Sequence, residues 1–530
     1  MISPEKLVEK IKKHFDKTDK YIFITTFIIG IITNFYFFIS NGLSPDALSD
    51  TNTHVAGLWE LQLGRFSLNF LDNVRFGFVN QLLIVLIALF FMSIGIMLIR
   101  RIFKIENKLI LTIMCFTIAV APQFTETYMY LYCADSYLLA FASAAFAVFS
   151  LSKIKTIKED RKWASLAIIA TVLTSSLYQA YLGVLAGLLV IYAIKETIDS
   201  DAKTAIKHFI RNAFIIGIGI GFYYVIFRVL CKLNHTRPAS YKGANNLGIG
   251  TLLALPETIK GCFEDLYYFF FNDGRIINNA YYHRCIFYVI LLASFVLSAF
   301  SIFKSEKKNR VSKIITTSLF ILIFPIAVNI MNVVAAGTRI NLVTGPGILT
   351  TVVLFLVFIN YLKDTTFNNV IKYISYIVLI FISATFMVAD IRTYIAREKQ
   401  YNDFKVIAEN IYTQATLLED YDPNMEYLFS YVIKTPASEF EKTTGMVTKN
   451  TISWTGYAGV KRYQMFYSKF LGKNIVSADE EKYEKIVPTE EFEKMSVYPE
   501  NGSIKIIDNT IVVKVSEDTF IKEDGKVRLW

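Results

Sequence analysis

The chain has 530 residues, of which 54% are apolar, 15% aromatic and only 19% charged, and its mean hydropathy is +0.41. A water-soluble chain carries about a quarter charged residues, so a soluble enzyme is ruled out and lipid must be the solvent for most of this sequence. Residues 391–530 hold 19 Lys/Arg against 22 Asp/Glu while residues 1–390 hold 36 against 23, and the basic excess lies in short loops beside apolar runs, a pattern of membrane topology and not of nucleic-acid binding.

No small-residue cleavage site follows the first apolar run, which reads as a retained helix. Apolar runs approaching a bilayer crossing of about 20 residues fall at 21–40, 77–99, 109–124, 136–152, 163–178, 180–194, 212–231, 286–303, 314–334, 347–362 and 373–390. Eleven spans are therefore predicted, the least secure being the pair divided only by Tyr178-Gln179. The fold class is mainly α: a polytopic membrane helical bundle over residues 1–390, then a small α+β domain over 391–530. The tail opens with helical periodicity from Ile391 to Leu418. It ends with two alternating runs, Ser503 to Ile507 and Thr510 to Val515, joined by Asp508-Asn509 as a hairpin.

Alternate connections carry 26 Lys/Arg, and the opposite set before residue 390 carries eight. The positive-inside rule then predicts a cytoplasmic N-terminus and, after eleven crossings, an extracytoplasmic tail. The outward connections are 41–76, 122–135, 233–285 and 335–346. In the first, His54, Leu58, Leu61, Arg65 and Leu68 recur at helical spacing and predict short interfacial helices. In the third, the aromatic stretch Leu266 to Phe271 reads as a helix dipping into the membrane surface.

Ionisable residues at a membrane surface are functional candidates because desolvation makes them expensive. The first outward loop holds Asp46, Asp50, His54, Trp59-Glu60 and Gly64-Arg65-Phe66. A carboxylate beside lipid headgroups, with arginines one loop away, suits removal of a proton from an acceptor hydroxyl while cations hold the phosphate of a lipid-linked donor. Asp50 and Asp46 are the candidate bases, although Ser49-Asp50-Thr51-Asn52 also reads as a helix N-cap. His54 and Glu60 read as solvated face residues. Arg65 is a phosphate ligand or a snorkelling side chain. Arg339 is the sole cation of its short loop and suits a phosphate or a headgroup, and Arg275, Arg284 and His283 are further binding candidates. Tyr178 and Gln179 offer a hydroxyl and an amide to a sugar, or Tyr178 belongs to the interfacial aromatic belt.

Cys115, Cys133, Cys231, Cys262 and Cys285 form no CxxC and read as small buried hydrophobes. No phosphate loop and no HExxH occurs. Asp420-Tyr421-Asp422 precedes Pro423-Asn424 in the acidic tail and reads as solvated loop, which disfavours a nucleotide-sugar donor.

Asp50 followed by Trp59 and Gly64-Arg65-Phe66, then Pro122-Gln123-Phe124, Tyr128-Met129-Tyr130, Asp135-Ser136-Tyr137 and Leu177-Tyr178-Gln179-Ala180-Tyr181, resembles the bacterial serotype-converting type II glucosyltransferase family. The family's members often have paired aspartates and Gly-Arg-Trp or Gly-Arg-Pro, where this chain has Ser49-Asp50 and Phe66. The resemblance implies a GT-C-type glycosyltransferase of the bacterial plasma membrane. Such an enzyme takes a hexose, glucose by the family's resemblance, from a polyprenyl-phosphate carrier and adds it to a cell-surface glycan on the outer face, by inversion. By analogy Asp50 is the general base, Arg65 a donor-phosphate or structural partner, and Asp135 lines the same cavity or caps its helix. Some related folds use a divalent cation, and the sequence leaves that open. Two other readings stand: a polymerase or ligase using a polyprenyl-pyrophosphate oligosaccharide, and a lipid-linked sugar transporter.

Overall fold

Long apolar helices dominate the computed structural model, which describes residues 15–40, 47, 53–239, 251, 253–271, 282–306, 309–335, 341–431, 433 and 460–520. The chain divides into two compact units, Met1–Phe38 with Thr53–Ile391, and Ile39–Asn52 with Arg392–Trp530. Among the described residues eight helices are long and apolar enough to cross a bilayer, or nine if one bent pair counts as a single span. The protein is thus a helical membrane protein.

The helices of the first unit begin with α1 (Lys17–Ile39), two short loop helices, α2 (Leu58–Gln62) and α3 (Ser67–Val74), and α4 (Gln81–Phe103). They continue with α5 (Lys108–Ala119), α6 (Pro122–Met129), α7 (Ala134–Ser152), α8 (Arg161–Leu177), α9 (Leu182–Asp199) and α10 (Ala202–Leu233). After these come α11 (Leu255–Phe271), α12 (Tyr282–Lys304), α13 (Arg310–Val328), α14 (Ile330–Val334), α15 (Thr350–Tyr361) and α16 (Thr366–Thr416), the last crossing the boundary between the units.

Every predicted apolar run coincides with helix, but fewer than eleven are single spans. The run 109–124 is α5 and α6 bent by 40°, because Pro122 lacks an N–H and drives Ala121 out of the helical region, to φ −72 and ψ 130. The 17 residues of α8 and the 12 of α15 are short for a crossing. The doubtful pair is two helices, divided where Tyr178 is extended at φ −161 and ψ 114. The windows of α7 and α9 are each 83% buried against 28% for α10, so α7 and α9 are central and α10 faces lipid. A Cβ added to Gly183 of α9 would lie 2.4 Å from the Val328 carbonyl, so only glycine lets α9 approach the end of α13 this closely.

In the second unit, β1 (Glu426–Phe429), α17 (Val460–Phe470), β2 (Val476–Ser477), α18 (Glu480–Ile486), α19 (Glu490–Glu493), β3 (Ile504–Ile507) and β4 (Thr510–Val513) follow α16. The strands form one sheet in the order β2-β1-β4-β3. The predicted hairpin is present: β3 and β4 pair antiparallel, Ile507 opposite Thr510. Asp508 and Asn509 take φ of 49° and 54°, the left-handed pair that a two-residue hairpin turn needs. Phe404, Ile411, Tyr463, Phe466 and Tyr467 pack with Phe429 and Val512 in the core of this unit.

Candidate active site

Residues 53–78 form a closed excursion between α1 and α4. Thr53 pairs antiparallel with Phe78, and the His54 N–H donates to the Gly77 carbonyl at 2.7 Å. Within it Glu60 caps α2 by accepting from the Gly57 N–H at 2.8 Å. Gly64 then turns the chain at φ +80, and a Cβ there would lie 2.2 Å from the Tyr223 hydroxyl and 2.9 Å from the Gln179 amide nitrogen. A side chain at this position is therefore excluded twice, by backbone conformation and by space. The turn is held from both sides. Gln179 Nε2 donates to the Leu63 carbonyl at 2.7 Å, and the Tyr223 hydroxyl donates to the Gly64 carbonyl at 3.2 Å. The Ser67 and Ser176 hydroxyls, 2.6 Å apart, tie α3 to α8.

This turn delivers Arg65 to an aromatic platform. Its Nη1 donates to the Tyr137 hydroxyl at 3.1 Å, its guanidinium carbon stands 4.6 Å from the centre of the Tyr178 ring, and the two rings stack at 4.0 Å with 6° between their planes. Among the described residues no carboxylate pairs with Arg65, and its buried Nε has no hydrogen-bond partner there. Burial acts against its charge, the phenol oxygens of Tyr137 and Tyr178 act for it, and its pKa is raised.

Beside this platform, α3 and the start of α7 share a buried charge cluster. Arg75 Nη1 donates to both oxygens of Asp135 at 3.1 Å, and Nη2 donates to Asp72 and to the Tyr132 carbonyl. Asp72 also accepts from the Ala56 N–H at 2.8 Å, and His54 Nε2 lies 3.4 Å from the same oxygen. Burial pushes the Asp72 carboxyl above its ordinary value, although Arg75, the Ala56 N–H and His54 all pull it back. Among the described residues Asp72 and Asp135 balance Arg65 and Arg75 in charge, but both carboxylates bind Arg75 while the Arg65 guanidinium contacts tyrosines.

Of the residues singled out from sequence, Arg65, Asp135, Tyr178 and Gln179 come together here. Asp46, Asp50, Arg275 and Arg339 lie outside the described residues, as do the side chains of His283 and Arg284. His54 is not the solvated residue expected: its side chain is 9% exposed, because the Thr53–Phe78 bridge folds it against Tyr132, ring centroids 4.6 Å apart. Asp72, Arg75 and Tyr223 were not anticipated. The one signal for the first two is an acid and a base three residues apart in an apolar loop, a helical pair. Among the described residues no three His, Cys, Asp or Glu side chains gather to hold a metal ion.

Fold and site together define a polytopic membrane protein whose charged chemistry is gathered where a loop excursion meets the spans. The family described as Glucosyl transferase GtrII matches residues 35–358. The chain belongs to that family and is a glucosyltransferase, which bears out the resemblance carried by its motifs. Comparison with curated proteins and with solved structures gave no match.

Proposed function

We propose that this glucosyltransferase moves glucose from a polyprenyl-phosphate carrier to a cell-surface glycopolymer on the outer face of the plasma membrane. The observation that carries the reading is Arg65, a guanidinium fixed on two stacked tyrosines and paired with no carboxylate among the described residues. A fork of donors held ready in a dry setting suits a phosphodiester. The acceptor oxygen attacks the anomeric carbon from the face opposite the carrier, the bond from carbon to phosphate oxygen breaks, and the configuration inverts. The acceptor proton passes to Asp50, three positions before Thr53 in the sequence, with Asp46 the other candidate in that loop. The polyprenyl phosphate leaves with the electron pair, its charge held by Arg65 and Arg339. Arg275, Arg284 and His283 belong to the donor-binding set. Asp135, Tyr178 and Gln179 act as positioning residues, since Asp135 binds Arg75, the Tyr178 ring carries Arg65 and Gln179 holds the Gly64 turn. The N-terminus is cytoplasmic, and the domain from residue 391 is extracytoplasmic.

The test is transfer of radiolabel from polyprenyl-phosphate-glucose to a wall polysaccharide by the purified protein in lipid. Transfer should vanish in Asp50→Asn, and in Arg65→Gln the KM for the donor should rise. Absence of transfer by the wild type, or unchanged transfer by Asp50→Asn, overturns the mechanism.

A further inference from the structure

A second polar cluster takes no part in the site above. Helices α5 and α16 meet at a hydrogen bond of 2.7 Å between the Thr117 and Ser383 hydroxyls. Seven residues beyond Ser383, two turns further along the same face, α16 carries Asp390, which is fully buried. Opposite it, past the 40° break, α6 presents Thr125 and Tyr128, one turn apart and 2% and 0% exposed. Both hydroxyls are neighbours of the Asp390 carboxylate. Thr125 is the one hydroxyl placed to donate to Asp390, and that contact falls short of full hydrogen-bond geometry; the Tyr128 hydroxyl is left without a partner among the described residues. Among the described residues no lysine, arginine or histidine forms an ion pair with Asp390, and Glu126 is buried on the same helix as Thr125 and Tyr128.

A carboxylate inside a membrane bundle is expensive unless something positive reaches it. An unpaired carboxylate repels an anionic ligand, and neither Thr125 nor Tyr128 offers a positive charge to offset that. Asp390, Thr125 and Tyr128 present oxygens, the hard donors that alkali and alkaline-earth ions prefer to nitrogen or sulfur. One carboxylate balances one positive charge, whereas a divalent ion would leave a net charge among the spans. Broken membrane helices are also where oxygen ligands gather around small ions.

We propose that Asp390, Thr125 and Tyr128 bind one monovalent cation of sodium size between α6 and α16. The ion fastens the broken helix whose C-terminal end leads, through Leu131–Cys133, to Asp135. Its effect is thus on the order of the segment that carries the Arg75 ligand. The proposal does not depend on which donor or acceptor sugar the enzyme uses.

The full-length protein in lipid nanodiscs is unfolded thermally across a NaCl series, with choline chloride holding ionic strength constant. The wild-type Tm should rise saturably with Na+. The rise should be absent in Asp390→Asn, and Tyr128→Phe should need at least about tenfold more Na+ for half its effect. Equal wild-type Tm in Na+ and choline overturns the site, as does an undiminished rise in Asp390→Asn. If that variant does not fold, Tyr128→Phe and Thr125→Val decide, and an unchanged Na+ midpoint in both overturns it. A shift with MgCl2 at matched ionic strength, without one in NaCl, overturns the monovalent assignment.

Discussion

Replacing Arg75 with alanine would strip the one guanidinium that binds both Asp72 and Asp135, whose own exposures are 1% and 6%, and leave only His54 beside Asp72. Breaking a buried ion pair by removing one partner costs about 3–5 kcal/mol. The loss here is double, but it has a ceiling, because a stranded carboxylate can take up a proton. At 1.36 kcal/mol per pKa unit, that costs about 4 kcal/mol at pH 7 for an ordinary carboxyl group and less for one already raised. Arg75→Ala should therefore lose at least about 3–5 kcal/mol, a large share of the 5–15 kcal/mol that typical domains possess. Thermal unfolding of the purified protein in detergent, followed by intrinsic fluorescence, measures it. The triple variant Asp72→Asn, Arg75→Met, Asp135→Asn should regain most of the loss, since no charge is then stranded. An Arg75→Ala protein within about 0.5 kcal/mol of wild type, or a triple variant no better than Arg75→Ala, would refute the reasoning.

The raised pKa of Asp72 has a definite sign in stability. The folded state holds this proton more tightly than the unfolded chain, so the group's contribution is fully present below 3.8 and is lost as pH rises through its folded value. The stability of wild type relative to Asp72→Asn should accordingly improve as a pH series of Tm measurements descends toward the carboxyl range. Gly64→Ala places an L residue in the left-handed region, costing about 1–2 kcal/mol, and drives the Tyr223 hydroxyl away. The expected result is at least a tenfold loss of kcat/KM in the transfer assay, partly restored by adding Tyr223→Phe. Arg65→Lys keeps the charge but loses the planar fork and the stacking on Tyr178, so the KM for the lipid donor should rise with a smaller change in kcat. In the second unit, Asn509→Val should destabilise the hairpin by about 1–2 kcal/mol, while Asn509→Gly stays near wild type in urea unfolding.

What was legible in the sequence is what local chemistry decides. Apolar runs marked the membrane helices, and Asp508-Asn509 declared a turn that only left-handed residues can make, but the run 109–124 was read straight through Pro122, where the chain breaks. Gly64-Arg65, Asp135 and Tyr178-Gln179 stood out as motifs, and they meet in space. The pairing of Arg75 with Asp135 was hidden because sixty residues separate them and no periodicity registers an encounter at that range. His54 was misjudged for the same reason: its burial depends on Phe78, at the far end of the excursion. The parallel strands β1 and β2, four and two residues long, are too short to show alternation. Asp390, at the edge of an apolar run, reads as the end of a span, and only its neighbours on α6 reveal that it is buried.

The excursion over residues 53–78 leaves and rejoins the bundle at a single backbone pairing. Its two ends are therefore fixed to each other independently of what lies between them. Insertions or deletions near the exposed Trp59 or Phe70 can be absorbed without shifting the register of α4. Such a segment can change length at its exposed tip while Arg65 and Arg75, anchored behind it, stay in place.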